Sequence, residues 1–121
     1  MANCSADLDG VFTALADPTR RAVVRRLGHG PASVGDLAEA FPIPLPSFMK
    51  HVRTLEANGL IRTVKTGRVR TCVLARERFG LVADWLAEER RIWSERTDRL
   101  ERFANGRDER ADRTDREGDR P

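Results

Sequence analysis

Residues 44–74 read PLPSFMKHVRTLEANGLIRTVKTGRVRTCVL, and the two halves of this stretch have different periods. Phe48, Val52 and Leu55 recur at i, i+4 and i+7, the spacing of one buried face of a helix. Turning to the opposite side of that helix brings up Pro46, Lys50, Arg53, Thr54 and Ala57, a face of small, basic and hydrogen-bonding groups. Pro46 suits a first helical turn, where its missing N–H costs nothing, and Asn58-Gly59 is a helix stop. Strand-forming residues then flank a glycine turn: Ile61–Lys65, Thr66-Gly67 and Val69–Leu74. That pattern predicts a β-hairpin with Lys65, Arg68 and Arg70 crowded at its tip.

Upstream, Leu8, Val11, Phe12 and Leu15 form one amphipathic stripe. Asp17-Pro18 supplies an N-cap and a favoured first residue for a second helix, which turns Ala22, Val23 and Leu27 inward and Arg20, Arg21, Arg25 and Arg26 outward. It ends at Gly28-His29-Gly30-Pro31. Ser33, three residues before Asp36, caps a short third helix with Val34, Leu37, Ala38 and Phe41 inward. Pro42-Ile43-Pro44-Leu45-Pro46 cannot continue it and forms a turn of fixed shape. Two helices joined so tightly predict a helix-turn-helix, whose second member has Pro46 in its first turn and runs through Glu56.

Downstream, a long helix over about 77–104 carries two apolar stripes. Phe79, Leu86, Trp93 and Leu100 sit one heptad apart, with Leu81, Trp85 and Ile92 beside them. One stripe is expected to face the core and the other a second subunit. Residues 105–121 hold five Arg and six Asp or Glu with no apolar side chain larger than Ala111, so they are expected to form a disordered charged tail after a single domain at 1–104.

The 121 residues are 40% apolar and 34% charged. No apolar run approaches the ~18 residues of a membrane span. The N-terminus has neither the basic nor the apolar region of a secretion signal, and a cytoplasmic location is expected. Cys4 and Cys72 are too few and too far apart for a disulfide scaffold or a zinc site. The chain lacks a phosphate-binding glycine loop, a nucleophile elbow and a paired-carboxylate signature, so no catalytic residue is assigned and an enzyme is not expected.

Charge is concentrated. Within 45–76, seven Lys or Arg face a single acid, Glu56. A polyanion is the natural partner of such a segment, because neutralised phosphates release condensed counterions. A basic helix face fits a major groove, and a basic hairpin tip reaches phosphates or the adjacent minor groove. Double-stranded DNA is therefore the expected partner. Ser47, Lys50, His51, Arg53 and Thr54 on the helix, and Lys65, Arg68 and Arg70 on the hairpin, are the candidate contacts. Leu8, Val11, Phe12, Trp85, Ile92, Trp93 and Leu100 are the candidate dimerisation residues.

Four segments, LADPTRRAVVRRL at 15–27, SVGDLAEAF at 33–41, PSFMKHVRTLEANGLI at 46–61 and KTGRVRTCVL at 65–74, together resemble the ArsR-type winged-helix repressors across about residues 7–100. The resemblance implies a mainly α fold of about five helices with a small β-hairpin wing. It also implies a homodimer held by the first and last helices that blocks transcription from a partly palindromic operator. Where many relatives have a Ser cap, a Gln and a further Ser at the start of the recognition helix, this chain has Pro44, Leu45 and Met49. Metal-sensing relatives use paired Cys on the third helix or Asp and His on the last. Here 33–41 contains no Cys and no His follows His51, so neither metal nor any other cofactor is expected. Two alternatives stand beside this: a thiol-responsive repressor using Cys4 or Cys72, and a protein–protein interaction module on the same scaffold. No effector is identified by the residues.

Overall fold

The structure is a computed structural model that describes the backbone of residues 3–118 and the side-chain surroundings of residues 5–106. Its elements follow in the order α1 (Asn3–Leu15), α2 (Pro18–Leu27), β1 (Ala32–Ser33), α3 (Val34–Glu39), α4 (Leu45–Ala57), β2 (Ile61–Thr66), β3 (Val69–Leu74) and α5 (Phe79–Gly118). This is the expected winged helix-turn-helix, with β1 added. The chain divides into two compact units, Met1–Ala83 and Asp84–Pro121.

In the first unit the helix ends follow local chemistry. The Asp17 carboxylate accepts the Arg20 N–H at 3.0 Å, capping α2 ahead of Pro18. Ser33 Oγ accepts the Asp36 N–H at 3.1 Å and starts α3. Ser33 is extended (φ −68°, ψ 152°), so the same residue caps a helix and pairs in a strand. At the end of α4, Gly59 takes φ +71°, its N–H bonds to Glu56 O, and the Leu60 N–H reaches back to Leu55 O, both at 3.0 Å. That is a Schellman motif, and its apolar partners Leu55 and Leu60 are both fully buried.

The sheet is antiparallel in the order β1-β3-β2. Thr66 pairs with Val69, leaving Gly67 and Arg68 as the two turn residues. Gly67 has φ +63° and, among the described residues, no non-glycine has positive φ, the pattern of a type II′ turn. β1 pairs Ala32 with Cys72 and Ser33 with Thr71. Two residues are too short for any alternation, so no residue pattern signals this strand beyond the cap.

Val11 and Ala14 of α1, Val23 and Leu27 of α2, Leu37 of α3, Phe48, Val52 and Leu55 of α4, and Ile61 and Cys72 of the sheet make one core. Two expectations change. Val11, assigned to a dimer surface, is fully buried in this core, because the α1 stripe turns Val11 and Ala14 inward and leaves Phe12 on the rim. Ala22, expected inward, is exposed: Val23 and Leu27 alone form the buried stripe of α2.

α5 begins in the first unit, where Phe79 and Val82 pack on the core. The second unit is the continuation of this helix. Its backbone stays helical to Gly118, through most of the segment expected to be disordered. Arg, a good helix former, recurs there five times beside Glu109, Ala111 and Glu117, with no proline before Pro121. The side chains of 107–121 lie outside the described residues. Along the helix Arg91 bonds to Glu88 at 2.7 Å and Glu95 at 2.8 Å. Leu86, Trp93 and Leu100, seven residues apart, are 40%, 50% and 69% exposed.

Candidate nucleic-acid interface

α4 is held from one side only. Phe48, Val52 and Leu55 are buried, and the Phe48 ring stacks on Phe41 at 5.4 Å between centroids. Opposite them Ser47, Lys50 and Arg53 are exposed and Thr54 is half-buried. Thr54 Oγ1 donates to Lys50 O at 2.9 Å, so its hydroxyl can only accept from an outside partner. Met49 packs half-buried against the core, whereas Leu45 stands 57% exposed at the helix start.

In the wing, Lys65 pairs with Arg70 and Thr63 with Cys72. Strand alternation puts Lys65 and Arg70 on the same sheet face as buried Ile61 and Cys72, the face turned to the helices. Arg53, Glu56, Ala57, Thr63 and Arg70 line an open groove between α4 and the wing. Thr63 Oγ1 donates to the Glu56 carboxylate at 3.0 Å across it. A second hollow, lined by Ser33, Val34, Gly35, Arg68, Val69 and Arg70, joins the start of α3 to the wing tip.

Three arginines elsewhere have acidic partners: Arg62 with Glu77 at 3.4 Å, Arg78 with Asp7 at 3.7 Å, and Arg91 with Glu88. Lys50, Arg53, Lys65, Arg68 and Arg70 are different. Among the described residues no carboxylate oxygen lies within 4.0 Å of any of them. Five cations thus stand unneutralised on one helix and one hairpin that border a common groove.

His51, expected among the contacts, is half-buried. Its Nδ1 lies 3.2 Å from Arg20 Nη1 and 3.7 Å from Asp17 Oδ2. The Arg20 backbone N–H holds the Asp17 carboxyl below the usual carboxylate range, against the opposing effect of burial, and the Arg20 charge adds to the lowering. Arg20 was expected to point outward; nothing in the spacing reveals its inward turn. The Glu56–Thr63 bond was also missed, although a lone acid among seven cations was a signal for it.

Cys72 is fully buried, and burial pushes its thiol up, with Glu56 adding to the rise. A thiol so placed is a poor nucleophile. The Cys4 side chain lies outside the described residues. Among the described residues no group of three or more His, Cys, Asp or Glu is gathered as a metal site would need, and no helix is long and apolar enough to cross a membrane. Of the expected dimerisation residues, Leu8 is half-buried and Phe12 exposed on α1. On α5 Ile92 is half-buried, and Trp85, Trp93 and Leu100 are exposed.

A model of the helix-turn-helix domain matches residues 15–64. The HTH-type transcriptional regulator Rv2034 of Mycobacterium tuberculosis is 44% identical over 63 residues, which are 50% of this chain and 59% of that protein, so the match spans less than two thirds of that relative. The transcriptional repressor SdpR of Bacillus subtilis is 36% identical over 61 residues, 50% of this chain and 68% of that one. The crystal structure of the ArsR family transcriptional regulator RHA00566 has 56% identity and a TM-score of 0.71, covering 74% of this chain and 93% of its own. With the fold in agreement and more than half the residues identical over nearly all of that regulator, the chain belongs to the ArsR family of helix-turn-helix transcriptional regulators, which are DNA-binding proteins and not enzymes.

Proposed function

We propose that this chain is a homodimeric repressor that acts in the cytoplasm by occupying a partly palindromic operator, without a metal cofactor. The observation that carries the reading is the set of five cations on α4 and the wing, two elements that border one groove, with no carboxylate oxygen within 4.0 Å of any of the five among the described residues. Lys50 and Arg53 are the base- and phosphate-reading groups of α4, with Ser47 and Thr54 beside them. Lys65, Arg68 and Arg70 grip the backbone flanking that groove. Leu45 and Met49 replace polar groups at the reading end, so the operator differs from those of relatives that carry Ser and Gln there. The relative SdpR is named a repressor, which supports the sign of the regulation.

The dimer reading rests on α5. A helix that leaves Leu86, Trp93 and Leu100 largely exposed along one stripe has apolar area to cover, and a second copy supplies a matching stripe. Two α4 helices about 34 Å apart would then enter successive major grooves. The absence of metal sensing rests on donor chemistry: α3 contains no Cys and α5 no His.

Affinity selection of genomic fragments with the purified full chain tests the reading. Enrichment of a two-fold related sequence, bound with a steep salt dependence, is expected. Recovery of fragments without a common sequence, or binding that ignores salt, would refute it and favour a protein–protein interaction module.

A further inference from the structure

Arg20 folds back from α2 onto two other helices. Its Nε donates to Ala14 O at 2.6 Å and its Nη2 to Thr13 O at 3.1 Å. Both carbonyls belong to the last turn of α1, where helix donors run out; Thr13 O also accepts the Ala16 N–H at 3.2 Å. The remaining corner of the guanidinium, Nη1, meets His51 Nδ1 of α4 at 3.2 Å. Arginine has no acceptor and stays protonated, so Nδ1 must be the acceptor and the neutral ring carries its proton on Nε2. Among the described residues Nε2 has no hydrogen-bond partner, and it is not buried without one. The ring therefore has an inner nitrogen tied to α1–α2 and an outer nitrogen open to solvent.

We propose that His51 is a positioning residue for DNA binding: through Nδ1 it ties α4 to the guanidinium that closes the end of α1, and the tie holds only while Nδ1 is unprotonated. This rests on the DNA-binding reading above. The charged groups that face the ring are Arg20 and Asp17, both from the start of α2; α1 contributes the backbone carbonyls that hold Arg20. Protonation of Nδ1 sets an N–H against an N–H of Arg20. The acceptor that faces the new proton is Asp17 Oδ2, at 3.7 Å, beyond hydrogen-bond reach without movement of the ring. Acid therefore disturbs the seat of α4. Added positive charge alone would act the other way, since it strengthens binding to a polyanion. The two effects have opposite signs, which makes the mechanism separable from simple charge.

The test compares His51→Asn with His51→Gln in the full chain, using a duplex recovered by the genomic selection. The Asn amide oxygen takes the place of Nδ1 and can accept from Arg20, whereas the Gln amide reaches the place of Nε2 and leaves the inner position empty. H51N should bind near the wild-type level, and H51Q should bind about tenfold more weakly, the loss of one charge-assisted hydrogen bond. Wild-type affinity should fall severalfold once acid protonates Nδ1, and H51N should be flat. Wild-type-like binding by H51Q with a deficit in H51N would make His51 a direct contact and overturn the proposal, as would affinity that rises on acidification. A second measurement needs no DNA. Nitrogen-15 spectra of the imidazoles should show His51 fixed with Nδ1 unprotonated, and Arg20→Lys should release it. His29, exposed in the α2–α3 loop, is the internal reference. A His51 tautomer mixture equal to that of His29 overturns the tie. If wild type binds no duplex, the functional reading fails while the spectra still decide the tie.

Discussion

Replacing Lys65, Arg68 and Arg70 together by alanine separates what the wing does for DNA from what it does for the fold. Lys65 and Arg70 face each other across the hairpin, and Arg68 sits in its turn. No carboxylate neutralises them among the described residues. With Lys50 and Arg53, a homodimer would present about ten phosphate-contacting cations, for a slope of log affinity against log salt of about −9. The triple variant keeps about four, for a slope near −3.6. Between about 50 and 200 mM salt, wild type should then lose roughly five decades of affinity and the variant roughly two. Stability should move the other way. Lys65 and Arg70 are like charges in directly opposed positions, a small destabilisation that solvent screening reduces further, so the variant should be as stable as wild type or better by a few tenths of a kcal/mol. Fluorescence anisotropy of a selected duplex across salt gives the slope, and urea denaturation followed by tryptophan emission gives the stability. A slope within about one unit of wild type, in a variant that still folds, would reduce the wing to an ordinary solvated hairpin and refute the reasoning.

Phe48→Ala removes a ring that is 1% exposed and stacked on Phe41, and should cost about 3–5 kcal/mol in urea denaturation, whereas Phe48→Leu should cost less. Asp17→Ala should cost about 1 kcal/mol at neutral pH through loss of the α2 cap. Because the folded Asp17 carboxyl titrates below the usual carboxylate range, that stabilisation is complete above the unfolded value and disappears as pH falls through the folded one. The gap between wild type and D17A in denaturation midpoint should therefore narrow in strong acid. In a Cys4→Ser background, iodoacetamide should label Cys72 only after unfolding, and mild peroxide should leave DNA affinity unchanged, as the raised thiol pKa and full burial require.

Much of the fold was legible because its signals are local. The period of Phe48, Val52 and Leu55, the Asp17-Pro18 and Ser33 caps, and the glycines at 59 and 67 each act within a few residues. What escaped were features decided between elements. An α1 stripe can be read from spacing, but which of Val11 and Phe12 meets the core depends on where α2 crosses it. Arg20 has the same exposed-helix spacing as Arg21, and the pull of the Thr13 and Ala14 carbonyls has no sequence signature. The candidate interface was read as a list of cations. The structure adds that five of them lack acidic partners, while His51, Met49 and Thr54 are engaged inward to different degrees.

The short strand β1 has a consequence for how the chain is made. It pairs Ala32 and Ser33 with Cys72 and Thr71, so α3, α4 and β2 all lie inside a loop of chain closed by that pairing. Closing a loop of about forty residues has an entropic cost of roughly 3 kcal/mol before any contact inside it is counted. Cys72 of β3 is the last side chain of the buried cluster to be made, and Phe79 and Val82 pack against it afterwards. During synthesis, then, a ribosome that has released α4 but not residue 74 holds a DNA-reading helix with no settled seat. A nascent chain stalled before β3 emerges should remain open to proteases around α4, and one stalled beyond it should be protected there.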